Sequence, residues 1–235
     1  MSFESRVQPD VGAHWEIRDA IFIWTPKVAG TSIFRTLKKY SQPHLESERP
    51  LLKKASGYEQ FENHGLVSFG HVNVLNLYDQ GIISAEFFNN AFKFCFVRNP
   101  WDRFVSLYFY FFSKKRISCS FPVFCEKVRW SRFPWLGLDI PPVSLYHTNR
   151  FSQCNPQADW ITDENGELFV DFIGRFERLE EDFSKLCRHL AIREERLPHK
   201  NKTAHQNYRE YYNKHTRRIV EKVYEKDIQL FGYEF

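Results

Sequence analysis

A short apolar run that leads through a glycine-containing loop into an amphipathic segment constrains this fold more than any other feature. The run Ala20–Trp24 (AIFIW) has no polar alternation, which is typical of a strand buried on both faces of a parallel sheet. The loop TPKVAGTS follows, and the next segment, SIFRTLKKY, places Ile33, Phe34 and Leu37 at helical spacing. The sequence therefore predicts a strand, a loop and a helix in direct succession.

The same alternation of strands and helices continues along the chain. Further strands are predicted over Leu66–His71, Lys93–Val97 and Leu168–Phe172. Helices are predicted over Ser84–Ala91, from Asn99 to about Phe112, over Glu180–Leu190 and over Tyr208–Tyr224. Ser84 and Asn99 are the expected N-caps of the first two. The pattern predicts an α/β fold, a three-layer P-loop-like architecture with a central, mostly parallel sheet flanked by helices.

Length and composition fit one folded domain over residues 1–235. The chain has 235 residues, of which 43% are hydrophobic and 26% charged, and this excludes intrinsic disorder. Residues 117–160 contain five prolines, so we interpret them as a loop-rich insertion with short helices. The rings of this insertion either line a binding groove or fill a loop-rich core. Because aromatic residues make up 17% of the whole chain, the core is slightly favoured for Trp130, Trp135, Tyr146 and Trp160.

Charge, cysteines and hydropathy narrow the class of protein further. A net charge of +4 is mild, so no nucleic-acid partner is expected. The five cysteines are odd in number and form no CxxC pair, which indicates reduced thiols rather than a zinc site or a disulfide framework. The apolar runs fall short of the ~20 residues of a membrane-spanning helix, and MSFESRVQPDVG contains no signal core. We therefore expect a soluble, cytoplasmic protein, with no indication of its oligomeric state.

The loop after the first predicted strand is a candidate anion site. Unpaired amides and the positive end of a helix dipole converge at such a junction. Gly30 is expected to let the backbone approach an anion, Thr31 and Ser32 add hydroxyl donors, and Lys27 adds a cation. The loop departs from GxxxxGK[ST], because its lysine precedes the glycine. A plain turn with a solvated lysine is the alternative, and the position between a buried strand and a helix favours anion binding.

A second predicted strand-to-helix junction, in FCFVRNPWDRFVSLY, is another candidate anion site. Arg98 lies at the carboxyl end of a strand, where α/β sheets bind ligands. Ser106 lies two helical turns after Asn99, so Arg98 and Ser106 are candidates to hold a phosphate together. Arg103 either assists them or forms an ion pair with Asp102 or a nearby glutamate. Two phosphate-binding groups on adjacent strands indicate a ligand with two separated phosphates.

PKVAGTS followed by RNPWDRFVSLY resembles the paired signature of sulfotransferases that use 3′-phosphoadenosine 5′-phosphosulfate (PAPS). The chain is most similar to carbohydrate sulfotransferases of the family 2 type, which include the chondroitin, dermatan and heparan 2-O-sulfotransferases. SFGHVNVL, DFIGRFERLEEDFSKLCRHL and LPHKNKTAHQNYREYY resemble further segments of these enzymes. The resemblance thus extends from about residue 20 to the end of the chain.

The resemblance implies a role for each matching residue. The 5′-phosphosulfate would be bound by Lys27, Val28, Ala29, Gly30, Thr31 and Ser32. The 3′-phosphate would be bound by Arg98 and Ser106, and a loop closing over the nucleotide would contribute Lys200, Lys202 and Thr203. His71 would be the general base, and Lys27 would stabilise the leaving phosphate oxygen.

The resemblance also implies the reaction partners. The acceptor would be a hydroxyl of a glycan or glycolipid, and the reaction would need no metal. The familiar membrane enzymes carry an N-terminal anchor and often disulfides, which this sequence does not show, so Golgi residence is not implied.

Two other classes of protein remain possible from the residues alone. A Mg²⁺-dependent P-loop kinase or nucleotide hydrolase would need a different lysine position and a strand-end aspartate for the metal. A catalytically silent nucleotide- or glycan-binding module would have little use for Lys27, His71, Arg98 and Ser106 together.

Overall fold

Four short parallel strands form the centre of the fold. The computed structural model describes residues 17–40, 65–79, 81–114, 118–131, 153–198 and 206–235. The strands are β1 (Ala20–Ile23), β2 (Leu66–Ser68), β3 (Phe92–Val97) and β4 (Phe172–Arg175). Their order in the sheet is β2-β1-β3-β4, and every pairing is parallel.

Helices connect the strands and cover both faces of the sheet. The α-helices in the described part of the chain are α1 (Gly30–Leu37), α2 (Val74–Asp79), α3 (Ala85–Asn90), α4 (Pro100–Ser113), α5 (Phe121–Ser131), α6 (Leu179–His189), α7 (Lys214–Val223) and α8 (Glu225–Phe231). Short 3-10 helices lie at Lys38–Tyr40, Ala158–Trp160, Phe176–Arg178 and Tyr208–Tyr211. None of the helices in these ranges has the length and apolar character needed to cross a bilayer.

Alternate residues of the strands build two apolar layers. Ile21 and Ile23 point to one face, where they pack with side chains of α4 and α5. Phe22, Phe94 and Phe96 point to the other face and pack with side chains of α1 and α6. Phe22 and Phe94 stack with their ring centroids 5.1 Å apart. Both faces of the sheet are covered, and the predicted three-layer α/β fold is confirmed.

The two helix starts predicted from capping residues are confirmed. The Ser84 hydroxyl accepts a hydrogen bond from the Phe87 amide at the start of α3. At the start of α4, the Asn99 side chain accepts hydrogen bonds from the amides of Trp101 and Asp102, and Pro100 occupies the first helical position. Both boundaries could therefore be predicted from local capping residues.

The predicted strand Leu168–Phe172 is displaced in the structure. β4 begins at Phe172 and pairs residue by residue with Phe94 to Val97 of β3. Leu168 instead forms an isolated antiparallel bridge with Thr162. Gly174 lies against the Phe96 ring, where a Cβ atom would collide, so packing against β3 selects the later segment.

The predicted helix Tyr208–Tyr224 is not continuous. It divides into the 3-10 helix Tyr208–Tyr211 and α7, and Tyr212 between them has an extended backbone. The Asn213 side chain accepts a hydrogen bond from the Thr216 amide and starts α7 anew. The Tyr212 hydroxyl donates to the Trp101 carbonyl at 2.9 Å, and this tertiary contact fixes the break.

The predicted insertion at residues 117–160 is described only in part. It contains α5 and the 3-10 helix Ala158–Trp160, whereas residues 132–152 lie outside the described ranges. Trp160 is 1% exposed, so it belongs to the core and does not line a groove. Trp135 and Tyr146 lie outside the described residues, as does the side chain of Trp130.

The strand order reverses between β1 and β3, which is where open α/β sheets form a ligand-binding crevice. From β1 the chain passes to β2 on one side, and it later returns to β3 on the other side. In open parallel sheets ligands bind where the strand order reverses in this way, at the carboxyl ends of the strands. β1 and β3 are hydrogen-bonded neighbours, so the two predicted junctions open into the same crevice.

Candidate functional site

Two strand-to-helix connections meet at this crevice. One is the β1–α1 loop (residues 24–29), and the other is the β3–α4 junction (Arg98–Asn99). The Nη1 atom of Arg98 donates a hydrogen bond to the Lys27 carbonyl over 3.2 Å. The two connections are therefore in direct contact.

The backbone of the β1–α1 loop has an unusual conformation. Lys27 and Ala29 have φ angles of 69° and 65°, in the left-handed region that costs a non-glycine residue about 1–3 kcal/mol. The Ala29 carbonyl accepts hydrogen bonds from the amides of Ser32 and Ile33. The amides of residues 28–31 donate to no acceptor within the described ranges. They form a set of donors at the start of α1, as an anion site requires.

Gly30 is required for packing and not for its backbone conformation. Its φ angle is not in the left-handed region, but a Cβ atom at this position would overlap the indole ring of Trp24. That ring stacks on Phe22 and Phe34, with centroid distances of 5.8 and 5.2 Å. The left-handed backbone of the loop lies at Lys27 and Ala29, and the close approach of an anion to Gly30 stays a prediction.

The other loop residues offer different groups to a ligand. The Val28 side chain is fully buried in the core layer beneath α1, so only its main chain can face the crevice. Ser32 is buried as well, and Thr31 is half-buried in the first turn of α1.

Lys27 places a partly buried ammonium group beside this loop. Its Nζ atom lies 4.4 Å from the centroid of the Tyr110 ring on α4. Burial, and then the positive charge of Arg98, lower the pKa of Lys27 to about 8. A bound anion would offset both effects, which suits Lys27 to an anionic ligand.

The guanidinium of Arg98 is the cationic group of the β3–α4 junction. It is 7% exposed, and its Nε atom donates to Oδ2 of Asp102 over 2.7 Å. Its guanidinium lies over the Phe176 ring at 4.1 Å. Together with the contact to the Lys27 carbonyl, these interactions fix the orientation of the guanidinium plane.

On α4, Ser106 lies between the residues that contact the cations Lys27 and Arg98. Asp102, Ser106 and Tyr110 follow one another at intervals of four residues, so they share one face of the helix. Asp102 contacts Arg98, and the Tyr110 ring contacts Lys27. Ser106 is 2% exposed in this row.

His71 approaches the β1–α1 loop from the neighbouring strand. It follows β2, and its Nδ1 atom lies 2.8 Å from the Trp24 carbonyl oxygen. Because a carbonyl only accepts, Nδ1 carries the proton, and Nε2 is the basic nitrogen of the neutral ring. Burial is the main cause that lowers the pKa of His71 to about 4, and the charges of Lys27 and Arg103 act in the same direction. The ring is therefore neutral near pH 7.

Arg103 forms no ion pair with Asp102 or with a glutamate of the described ranges, which was one of the two alternatives from the sequence. Asp102 pairs with Arg98 instead, and Arg103 is completely buried. Its donors reach the main-chain carbonyls of Pro26, Gln153 and Asn155. The hydrogen bonds of Arg103 therefore connect the β1–α1 loop, through Pro26, with the segment that contains Gln153 and Asn155.

Gln157 and Asp227 support the site, although sequence reasoning missed both. The Gln157 side chain accepts a hydrogen bond from the Arg98 amide and donates one to the Arg98 carbonyl, over 2.9 and 2.8 Å. Asp227, which is fully buried, accepts hydrogen bonds from the main chain and side chain of Gln157. These residues lie 59 and 70 positions apart from their partners, so no local signal could have identified them.

Some predicted features fall outside what the structure describes. Lys200, Lys202 and Thr203, the candidates for a nucleotide-covering loop, lie in residues 199–205. No group of three or more His, Cys, Asp or Glu residues arranged to hold a metal occurs within the described ranges. None of the five cysteines, all of which lie in the described ranges, forms a disulfide, and four of them are buried.

Fold and site together define a P-loop-like α/β protein with two cationic connections at one strand-order reversal. The model of the sulfotransferase family matches residues 19–234, so this chain belongs to the sulfotransferase family.

Two further proteins are similar to this chain. An uncharacterised protein of Archaeoglobus fulgidus is 31% identical over 129 residues, which cover 54% of this chain and 90% of the archaeal one. The crystal structure of a sulfotransferase from Alicyclobacillus acidocaldarius aligns over 93% of this chain and 97% of the other. Its TM-score is 0.53 and its sequence identity 12%, so it supports the fold.

Proposed function

We propose that this chain transfers the sulfuryl group of PAPS to a hydroxyl of a carbohydrate or glycoconjugate. Membership of the sulfotransferase family supports the reaction class. The hydrogen bond from Arg98 to the Lys27 carbonyl carries the assignment of the donor. It brings a cation from each connection into one crevice, as a nucleotide with phosphates at its 3′ and 5′ positions requires.

The residues of both connections fit such a donor. The amides of residues 28–31, with Lys27 and the hydroxyl groups of Thr31 and Ser32, would receive the 5′-phosphosulfate. Arg98 and Ser106 would hold the 3′-phosphate. A guanidinium has five N–H donors, and Arg98 uses two of them on described residues, so it retains donors for a phosphate.

His71 and Lys27 supply the chemical groups for transfer. The bound donor would provide a sulfuryl group attached to a phosphate leaving group. His71 would accept the proton of the acceptor hydroxyl at Nε2, since Nδ1 is committed to the Trp24 carbonyl. Lys27 would neutralise the charge that develops on the leaving phosphate oxygen. Positioning and charge stabilisation would supply most of the rate enhancement.

A thermal-shift comparison tests the donor first. The protein would be melted with 3′,5′-adenosine bisphosphate, with ATP and Mg²⁺, and without ligand. Selective stabilisation by the bisphosphate supports the proposal, whereas a response only to ATP with Mg²⁺ would assign the chain to kinases or hydrolases. Transfer of label from PAPS to a panel of glycans and glycolipids then tests the acceptor. Donor binding without any transfer would indicate a silent binding module.

A further inference from the structure

Arg103 is a buried cation whose contacts the proposed chemistry does not use. It is 0% exposed, and its Nε atom donates to the Pro26 carbonyl over 3.1 Å. Its Nη2 atom donates to the carbonyls of Gln153 and Asn155 over 2.8 and 2.9 Å. Nη1 is buried without a hydrogen-bond partner among the described residues. Burying a guanidinium with one unsatisfied nitrogen is costly, so its position calls for an explanation.

The Pro26 contact lies directly before the left-handed part of the β1–α1 loop. Arg103 holds the carbonyl of Pro26, and Arg98 holds that of Lys27, the next residue. In a planar trans peptide, the carbonyl and the following amide point in opposite directions. The amides of Lys27 and Val28 therefore point away from the two arginines. Two guanidinium groups thus orient two successive peptide groups.

We infer that Arg103 is a positioning residue that holds the β1–α1 loop in the conformation that binds the 5′-phosphate end of the donor. The inference rests on the proposed function. Left-handed backbone at Lys27 and Ala29 persists only when surrounding contacts maintain it, and the Arg103 hydrogen bond to Pro26 is such a contact. The same guanidinium ties this loop to Gln153 and Asn155 and joins it to a distant segment of the chain.

A positioning role differs measurably from direct binding of the 3′-phosphate. Arg103 is completely buried, and its Nε and Nη2 atoms already donate to carbonyls. Its loss would therefore act through the 5′ loop. Because 5′-AMP and 3′,5′-adenosine bisphosphate share the 5′-phosphate, both should lose affinity by the same factor. A direct 3′-phosphate contact would affect the bisphosphate alone.

The test compares Arg103→Met and Arg103→Lys with Lys93→Met by calorimetric titration of both nucleotides. We expect Arg103→Met to weaken both by about 10- to 100-fold, and Arg103→Lys, which keeps the charge and one donor nitrogen, to weaken them less. Lys93 is the matched control, since it is 8% exposed and donates to the carbonyls of Phe88 and Ala91 at the opposite end of β3. Lys93→Met should lower the melting temperature without changing either affinity.

A pH profile adds a readout that simple destabilisation would not move. The charge of Arg103 helps to lower the pKa of His71. Arg103→Met should therefore move the acidic limb of kcat/KM to higher pH, while Arg103→Lys should leave it closer to the original position.

Several outcomes would overturn the inference. Unchanged affinities in a folded Arg103 variant would do so, as would a loss confined to the bisphosphate or an equal loss in Lys93→Met. If Arg103→Met does not fold, Arg103→Lys carries the same comparison. A wild-type protein without preference for the bisphosphate over 5′-AMP would instead overturn the proposed function.

Discussion

The β1–α1 loop and the β3–α4 junction are both strand-to-helix connections, but they would bind a phosphate through different groups. The loop offers main-chain amides, shaped by left-handed residues at Lys27 and Ala29. The junction offers the side chain of Arg98, whose guanidinium donates to Asp102 and whose main chain is held by the Gln157 side chain. The shape of the loop depends on contacts from other segments, such as the Arg103 hydrogen bond to the Pro26 carbonyl, whereas the shortest hydrogen bond of the Arg98 guanidinium goes to Asp102, four residues along the chain. Substitutions in the loop and in the junction should therefore change nucleotide binding in different ways.

The largest effect on turnover is expected for a substitution of His71, which belongs to neither connection. His71→Ala should lower kcat by about 10²- to 10⁴-fold, the usual contribution of a general base, and leave bisphosphate affinity within about twofold. In the wild type, kcat/KM should fall as the pH drops through about 4, because the pKa of His71 is lowered to about 4 and only the neutral ring accepts a proton. Transfer from labelled PAPS and calorimetry measure the two quantities. Near-normal turnover of the variant would remove His71 from this role.

Removing the Arg98 side chain should lower the preference of the protein for 3′,5′-adenosine bisphosphate over 5′-AMP. Arg98→Ala should weaken 3′,5′-adenosine bisphosphate by about 10- to 100-fold, because a charged hydrogen-bonding group of this kind contributes about 1.5–3 kcal/mol. The affinity for 5′-AMP should fall less, because this nucleotide loses only the support that Arg98 gives to the loop through the Lys27 carbonyl and no 3′-phosphate contact. Calorimetric titration of both nucleotides provides the ratio, and equal losses would contradict the assignment of Arg98 to the 3′-phosphate.

Disturbing the main-chain site should lower affinity without changing selectivity. Gly30→Ala forces a Cβ atom into the Trp24 indole, and such overpacking costs about 1–3 kcal/mol. Both nucleotides should bind more weakly by a similar factor, and the melting temperature should fall. Gly166→Ala is the control, since Gly166 has a left-handed φ of 83° but open space around its Cβ position. Unchanged nucleotide binding by Gly30→Ala would show that the loop tolerates the strain.

The smallest effect concerns the charge of Lys27. Its pKa is lowered to about 8 in the free protein, and a bound phosphate should raise it. Binding then takes up a proton above pH 8, so affinity should be nearly constant from pH 7 to 8. It should fall at higher pH by at most about tenfold per unit. Lys27→Met should abolish this dependence, and a wild-type affinity independent of pH up to 9.5 would contradict it.

The sequence predicted those parts of the fold that depend on local chemistry. Buried runs located β1 and β3, and Ser84 and Asn99 fixed two helix starts. The position of β4 depended on pairing with β3, and the break before Asn213 depended on the contact between Tyr212 and Trp101. Neither contact can be predicted from a pattern of neighbouring residues in the sequence.

The same division holds for the site. Lys27 and Arg98 are recognisable from the strand-to-helix pattern, and their junctions meet as expected. The contribution of Gln157 and the carbonyl contacts of Arg103 arise only when distant segments pack together. Gly30 was identified from its place in the loop, whereas its packing against the Trp24 indole ring could not be seen in the sequence.

The central claim is that the two connections bind two phosphates of one nucleotide. Parallel calorimetric titrations of the wild-type protein with 3′,5′-adenosine bisphosphate and with 5′-AMP test it most directly. The bisphosphate should bind at least about tenfold more tightly, because only it engages both Lys27 and Arg98. Equal affinities for the two nucleotides would contradict the claim.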